Sequence, residues 1–465
     1  MFTRLLPLFL ASELVVCATI SPNKSWSQPT QSVSAAGSSH SLDDPVKIKW
    51  LSENTVPIRS IDPGDDDFTD LMPIKSLLDG VRVVMLGEAH HGDGAAFYAK
   101  QRLIRFLHEE MGFDVLAWEA RFFAMEEMNQ ELKSGQPVSV DSTWGEGGMM
   151  KSIYQYSRAT HKTGRPLRHT GVDIIFGFPE ARWIDHYRKR LFEFLNAKGP
   201  GLASSVDLQT ISEFVLSVQK KDPYSPSEEE STKVRAAIKR VRDNLMKKAT
   251  SVQNSREIEY FAKTLEDLLA CEEHMILCNS YDFPPKNMLF RGRKMGENLV
   301  WLVNEWYPEQ KIIVWAHNQH LARNLFSIER VNPVIPGKPG KQFYSGFREM
   351  GDFICEELGN SVYSIAFVAY QGTRGRRQKT PSNVESVPGS IQSLLHNTDH
   401  LFSFLDFRSV PGGHWLYEPI LGHVSGNAVE RTNWPNVFDG LFYIDTMFPD
   451  TESGEVPEGV HAKKR

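Results

Sequence analysis

The stretch Val83-Val84-Met85-Leu86-Gly87-Glu88-Ala89-His90-His91-Gly92 decides the fold. Four consecutive apolar residues without alternation read as a strand covered on both faces, as in parallel sheets. The strand runs straight into ionisable residues flanked by two glycines, where backbone can approach a ligand closely. Two distant segments repeat the pattern. Val115-Leu116-Ala117-Trp118 delivers Glu119, and Ile312-Ile313-Val314-Trp315 delivers Ala316-His317-Asn318-Gln319-His320. Open parallel sheets bind ligands outside the carboxyl ends of their strands. Three strands that end in His or Glu therefore describe a hydrolytic or metal site at one sheet edge.

Working outward, Phe97, Ile104, Leu107 and Met111 recur at helical spacing, and Gly112 follows as a C′ glycine. The strand carrying Glu119 comes at once, which makes a β-α-β unit and predicts a parallel pair with a right-handed crossover. Helices are expected over 74–78, 122–132 and 152–160, and a strand within 167–176 ends at Asp173. From about 180 to 280 the pattern is almost wholly helical and is broken once, at Pro223 and Pro226. A helical stretch of that length between strands suggests a lobe over the site. A helix over 291–306 leads to the third motif strand. Helices at 346–358 and 390–396 then alternate with strands at 361–370, 401–407 and 440–445. The expected class is α/β: a mostly parallel central sheet flanked by helices, with a helical lobe inserted between strands, in one domain over residues 45–450.

Composition sets limits on partners and address. The 465 residues are 41% hydrophobic and 24% charged, with net charge −6. This balance argues against nucleic acid as the main partner. The basic run from Lys233 to Lys248 reads as the solvated face of a helix. Arg4, the apolar stretch Leu5 to Val16 and the small residues after it read as a signal peptide over 1–20. A leader rich in Ser, Gln, Pro and Ala follows to 44, and a polar tail runs from 451 to 465; both read as disordered. The expected location is secreted or periplasmic. Lipoprotein anchoring at Cys17 is disfavoured by Val16, and no stretch is long and apolar enough to span a membrane. Past the signal, Cys271, Cys278 and Cys355 include no CxxC, so neither a disulfide framework nor a thiolate zinc site is expected.

His91 titrates in the right range to take a proton from water, with Glu88 to orient it. His317 and His320 are spaced i, i+3 and share one helical face, a spacing that also suits a metal. Asn318 is a candidate N-cap there. Glu119 lies at the same sheet edge and needs a partner; Arg121 is a candidate. Arg291 is placed to bind a carboxylate or an oxyanion. No G-x-S-x-G elbow, P-loop or G-x-G-x-x-G turn is present, which counts against serine hydrolases and nucleotide enzymes.

Taken together, these segments resemble the erythromycin esterase family. Gly87-Glu88-Ala89-His90-His91-Gly92 is similar to its Gly-Glu-Ala-Thr-His-Gly. Trp118-Glu119-Ala120, Gly171-Val172-Asp173, Arg291-Gly292-Arg293-Lys294-Met295-Gly296-Glu297-Asn298 and Val314 to His320 resemble its later motifs. The resemblance implies a hydrolase without a metal or other cofactor, which opens a macrolide lactone or related ester by attack of water and so confers antibiotic resistance. It makes His91 the general base, with Glu88 and Glu119 positioning it and the water. His317 and His320 line the same cleft and Arg291 supplies charge. Lys100, His90 and Asp173 fall on the substrate side. Three departures stand out: His90 replaces Thr, Gly292 replaces Asp, and Ile175 stands where Gln is frequent. The same cluster leaves open a metal-dependent hydrolase and a non-catalytic ligand-binding member of the fold.

Overall fold

The computed structural model describes residues 44–454 except 137, 139–143, 176–180, 200, 219–223, 250–254, 280–285, 333–339, 341–342 and 378. The expected signal peptide, the leader to residue 43 and the tail from residue 455 lie outside the described residues.

The chain begins α1 (Pro45–Asn54), β1 (Val56–Ile58), α2 (Met72–Leu77), β2 (Val83–Leu86), α3 (Gly94–Met111), β3 (Phe113–Arg121), α4 (Phe122–Ser134), α5 (Lys151–Thr160) and β4 (Arg168–Asp173). The lobe follows as α6 (Ala181–Lys198), α7 (Ser205–Ser217), α8 (Glu228–Ala249) and α9 (Arg256–Cys278). Next come α10 (Lys286–Trp301), β5 (Lys311–Trp315), α11 (Asn318–Leu321), β6 (Glu329–Asn332), α12 (Met350–Leu358), β7 (Val362–Arg374) and β8 (Ser382–Glu385). The chain closes with α13 (Ile391–His396), β9 (Phe402–Asp406), β10 (Ile420–Gly422), β11 (Val429–Thr432) and β12 (Gly440–Met447).

The central sheet runs β1-β9-β12-β7-β2-β5-β3-β4, with β8 on β7. Every pair from β12 to β4 is parallel; β1, β9 and β8 join antiparallel. The apolar runs are buried on both faces, as a covered parallel sheet demands. Val83, Met85, Val115, Ala117, Ile312 and Val314 enter the core on one face. Val84, Leu86, Leu116, Trp118, Ile313 and Trp315 enter the core on the other. Trp118 and Trp315 stack there, with ring centroids 4.9 Å apart.

The expected β-α-β unit is correct in direction and wrong in neighbour. β2 and β3 are parallel but do not touch, because β5 lies between them. Nothing in the local sequence of a crossover reports a skipped strand position. The insertion puts the His-bearing strand between the two Glu-bearing ones. Sheet order also reverses at β2, with β5, β3 and β4 on one side and β7 on the other. Such a switch point is where open α/β sheets bind ligands.

Among the described residues the lobe contains four helices, not a stretch with one break. Its basic run is only partly solvated: Arg235 pairs with Glu272 at 2.5 Å and Arg240 with Asp207 at 2.5 Å, tying α8 to α9 and α7. A small sheet, β10-β11-β6, was not visible in the sequence, since its strands are three or four residues long. The helix expected from 346 begins at Met350. Cys271, Cys278 and Cys355 form no disulfide. Among the described residues, no helix is long and apolar enough to cross a membrane.

Candidate active site

The first strand end is pinned by the second histidine motif. The Asn318 amide donates to the Glu88 carbonyl at 2.8 Å. Its side chain donates to the Phe367 and Val424 carbonyls and accepts from the Phe367 amide. A Cβ on Gly87 would overlap the Asn318 carboxamide, so the turn requires glycine. Asn318 is thus a latch between β2, β7 and the loop before β11. The expected cap role falls instead to His317, whose Nδ1 accepts from the Gln319 amide at 3.1 Å.

Glu88 is fully buried. Its Oε1 lies 2.9 Å from His91 Nδ1, and its Oε2 pairs with Lys100 Nζ. Lys100 rises from α3, 0% exposed, with its ammonium 4.5 Å from the centroid of the Trp315 ring. It therefore anchors Glu88 from beneath and presents no surface to the cleft, in place of the expected substrate-side position.

Glu119 is the hub. Its Oε1 faces Arg291 Nη2 at 2.8 Å, His320 Nε2 at 3.3 Å and His91 Nε2 at 3.6 Å. Its Oε2 accepts from the His317 amide at 2.8 Å. A partner of Glu119 is thus Arg291, delivered by α10 from 172 residues along the chain. Asp173, at the end of β4, receives Arg291 Nε at 3.1 Å and Nη2 at 2.7 Å. Both Asp173 oxygens serve that fork, so Asp173 orients Arg291 in place of the expected substrate contact. His317 Nε2 donates to the Ala89 carbonyl at 2.7 Å. With Nδ1 also occupied, its ring has no nitrogen left for substrate or metal. His320 Nδ1 meets Glu349 Oε2 at 2.8 Å, and its Nε2 lies 3.2 Å from Arg291 Nη1.

Burial and charge set the protonation states. Burial disfavours the His91 cation, but Glu119 and then Glu88 outweigh it and raise the imidazole to about 9. For His320, burial is again overcome, by Glu119 and Glu349, and its pKa rises to about 10. Burial and the neighbouring His91 hold His317 well below the usual histidine range, so it is neutral. Burial alone would raise Glu119; His320 and His91 pull it well below the ordinary carboxylate range. Burial lowers Lys100 to about 8 despite Glu88. Lys100, Arg291 and the His91 and His320 rings, both held protonated by their acidic neighbours, thus surround the side chains of Glu88, Glu119, Asp173 and Glu349.

His90 is half-buried, its Nδ1 makes no hydrogen bond among the described residues, and burial with Arg374 holds it neutral, its pKa lowered to about 3. The cations that act on it, Arg374 and Arg376, lie at the end of β7 and in the loop after it. Two site residues escaped the sequence. Trp144 donates its indole N–H to the Glu119 carbonyl at 3.0 Å and packs edge-on to His91 with centroids 5.3 Å apart. Glu349 lies next to the start of α12, and no local pattern marks it as facing His320.

Fold and cluster together define an α/β protein with acid–base groups gathered at a sheet switch point. The chain belongs to the erythromycin esterase family, whose model matches residues 108–447. That match begins after Glu88, His91 and Lys100, while the relatives align over more of the chain. The Bacillus subtilis (strain 168) protein named "Putative hydrolase YbfO" is 26% identical over 426 residues, which is 86% of this chain and 91% of that one. Erythromycin esterase type II of Escherichia coli is 21% identical over 438 residues, 85% of this chain and 97% of that one. A Bacillus cereus crystal structure superposes with TM-score 0.71 at 20% identity, covering 88% of this chain and 98% of that one. A mutant of the erythromycin esterase EreC in its open conformation gives 0.62 at 16% identity, covering 87% and 99%. The structural likenesses establish a shared fold, and the family and relatives support a hydrolase.

Proposed function

We propose that this protein is a carboxylic ester hydrolase that opens a lactone or related ester by attack of a His91-activated water, without a covalent intermediate. The observation that carries the reading is the suspension of His91 between Glu88 and Glu119. Glu88 at Nδ1 orients the ring so that Nε2 is the working nitrogen. The 3.6 Å from Nε2 to Glu119 exceeds a direct N–H···O bond. The attacking water of this reading bridges the two groups at the edge His91 opens to solvent, where its side chain is 13% exposed.

In the reaction, Nε2 takes a proton as the water oxygen bonds to the carbonyl carbon. Arg291, whose side chain is 12% exposed, is the cation placed to meet the developing oxyanion, and His320 supports it from beneath. The intermediate collapses, the carbon–oxygen ester bond breaks, and His91 returns the proton to the leaving alkoxide. The products are an acid and an alcohol, joined in one molecule when the substrate is a lactone. With His91 raised to about 9, the free base is the minor form at pH 7, roughly one in a hundred.

The deciding experiment is mass spectrometry for a water-addition product across macrolides, simple lactones and esters, with His91→Ala as control. Absence of any product with the parent protein ends the esterase reading and leaves a ligand-binding role. Export is part of the proposal: the 1–20 segment is expected to be missing from mature protein, and N-terminal sequencing tests this.

A metal-dependent reading has one observation behind it. Glu88, His91 and Glu119 each offer a ligand atom, all within 4.8 Å of one another. Against it, Lys100 and Arg291 already neutralise those two carboxylates. Elemental analysis and turnover after chelation separate the two readings; loss of activity restored by one divalent ion favours the metal.

A further inference from the structure

The His320 imidazole is held from its far side by a residue that no sequence motif marks. Glu349 is 0% exposed, and its Oε2 lies 2.8 Å from His320 Nδ1. The other oxygen faces Gln319 Nε2 at 3.4 Å. A buried carboxylate is tolerated where it is paired, and here its charged partner is the His320 ring. The Glu349 backbone is itself held, its amide donating to Asp352 Oδ2 at 2.9 Å beside the first turn of α12. The carboxylate therefore comes from a fixed element.

Its approach depends on Gly292. A Cβ at that position would lie 2.6 Å from Glu349 Oε2 and 2.8 Å from the Arg348 carbonyl. The glycine has no positive φ and sits within α10, so conformational freedom is not its reason. Space is. The next residue back, Arg291, reaches the opposite side of His320 through Nη1 at 3.2 Å. One turn of α10 thus supplies the cation on one side of the ring and the gap for the carboxylate on the other. Position 292 is also where the chain departs from the Asp of the motif it resembles, and the structure shows that space filled by the carboxylate of the residue just before α12.

We propose that Glu349 is a positioning residue of the hydrolytic site: bonded to His320 Nδ1 through the gap left by Gly292, it turns His320 Nε2 toward Glu119 and Arg291. Glu349 touches no reacting atom; it acts through His320. The inference rests on the hydrolase reading for its kinetic consequence and on geometry alone for the contact. A carboxylate bonded to one imidazole nitrogen fixes the ring's tautomer and orientation, and behind metal-bound histidines its loss typically costs about 10–100-fold, the scale expected here.

The test uses the full chain with 15N-labelled histidine and three variants. Glu349→Gln keeps size and an acceptor, Glu349→Asp keeps the charge, and Gly292→Ala leaves the carboxylate intact but displaces it. The His320 ring signals, assigned by comparison with His320→Gln, report titration and tautomer independently of turnover. In Glu349→Gln the His320 midpoint is expected to fall by at least one pH unit. On whichever ester the parent protein hydrolyses, kcat falls about 10–100-fold with KM little changed. Gly292→Ala reproduces both effects, and Glu349→Asp restores part of each. A purely structural role lowers thermal stability without moving the His320 titration. An unchanged His320 titration in folded Glu349→Gln overturns the proposal. If the parent protein hydrolyses nothing while the titration shifts, the hydrolase reading has failed and the Glu349–His320 contact stands.

Discussion

His91 Nε2 and Glu119 Oε1 stand 3.6 Å apart, too far for a direct hydrogen bond and close enough for a strong mutual field. The same carboxylate oxygen faces Arg291 and His320, so one atom links His91, Arg291 and His320, the proposed base, the proposed oxyanion cation and the second imidazole. Replacing it should change both the rate and its pH dependence.

For the parent enzyme, kcat/KM is expected to rise with pH from 7 toward about 9, because the base is the unprotonated form of an imidazole raised to that value. Glu119→Gln removes the largest raising influence, so the ascending limb moves to lower pH. The maximal rate drops about 10²–10³-fold, in line with loss of a group acting on the transition state. A limb that stays in place in the variant would show that Glu119 does not govern His91.

Stability should follow the same protons. His91 and His320 have folded values raised above the free histidine value of about 6.5. Their contribution is complete below that pH and is lost as pH rises through about 9 and 10. The melting temperature is therefore expected to fall from pH 7 to 10. The fall should be smaller in His320→Gln, which has one such proton fewer to lose. Calorimetry across that range is the check.

Lys100→Met tests whether the buried ammonium serves Glu88 or substrate. It leaves Glu88 buried without its cation, a loss of about 3–5 kcal/mol for a broken buried pair. The expected result is a large drop in denaturation midpoint with KM unchanged in the folded fraction. A raised KM at normal stability would return Lys100 to the substrate side.

Asn318→Ala removes three hydrogen bonds that join β5's turn to β7 and to the loop at Val424, and leaves buried backbone groups unpaired. At about 1–3 kcal/mol for each orphaned group, several kcal/mol of stability should be lost. Gly87→Ala, which pushes the same carboxamide aside, should give a similar loss. Denaturant titration of both variants compares them directly.

Arg291→Lys keeps the charge and loses the planar fork that spans Asp173 and Glu119. Lysine cannot reproduce two-carboxylate bonding, so kcat is expected to drop at least about tenfold while folding is retained. Turnover equal to the parent would mean that charge alone suffices.

The readable and unreadable parts divide along physical lines. Val83 to Leu86, Val115 to Trp118 and Ile312 to Trp315 announce themselves because burial on both faces demands unbroken apolar runs. Their terminal Glu88, Glu119 and His317 are covalently tied to those strands, so their place at the sheet edge follows. β10, β11 and β6 were missed because strands of three or four residues leave no periodic trace. The lobe's extra breaks were missed because helix ends depend on packing partners. Lys100 and Asp173 were placed on the substrate side from likeness, whereas the structure turns them toward Glu88 and Arg291. His317 looked like a site ligand until both ring nitrogens proved bound to backbone.

The sequence by itself determined the sheet class, the three strands that carry chemistry, and the ionisable residues at their ends, since these follow from burial and covalent adjacency. Tertiary structure decided which nitrogen faces which carboxylate, that β5 stands between β2 and β3, and that Glu349 completes His320. It also decided the protonation of His91 and His320. A side chain's pKa is set by how deeply it is buried and by which charges surround it. Arg291 and Glu119, 172 residues apart, become neighbours only when α10 meets the end of β3.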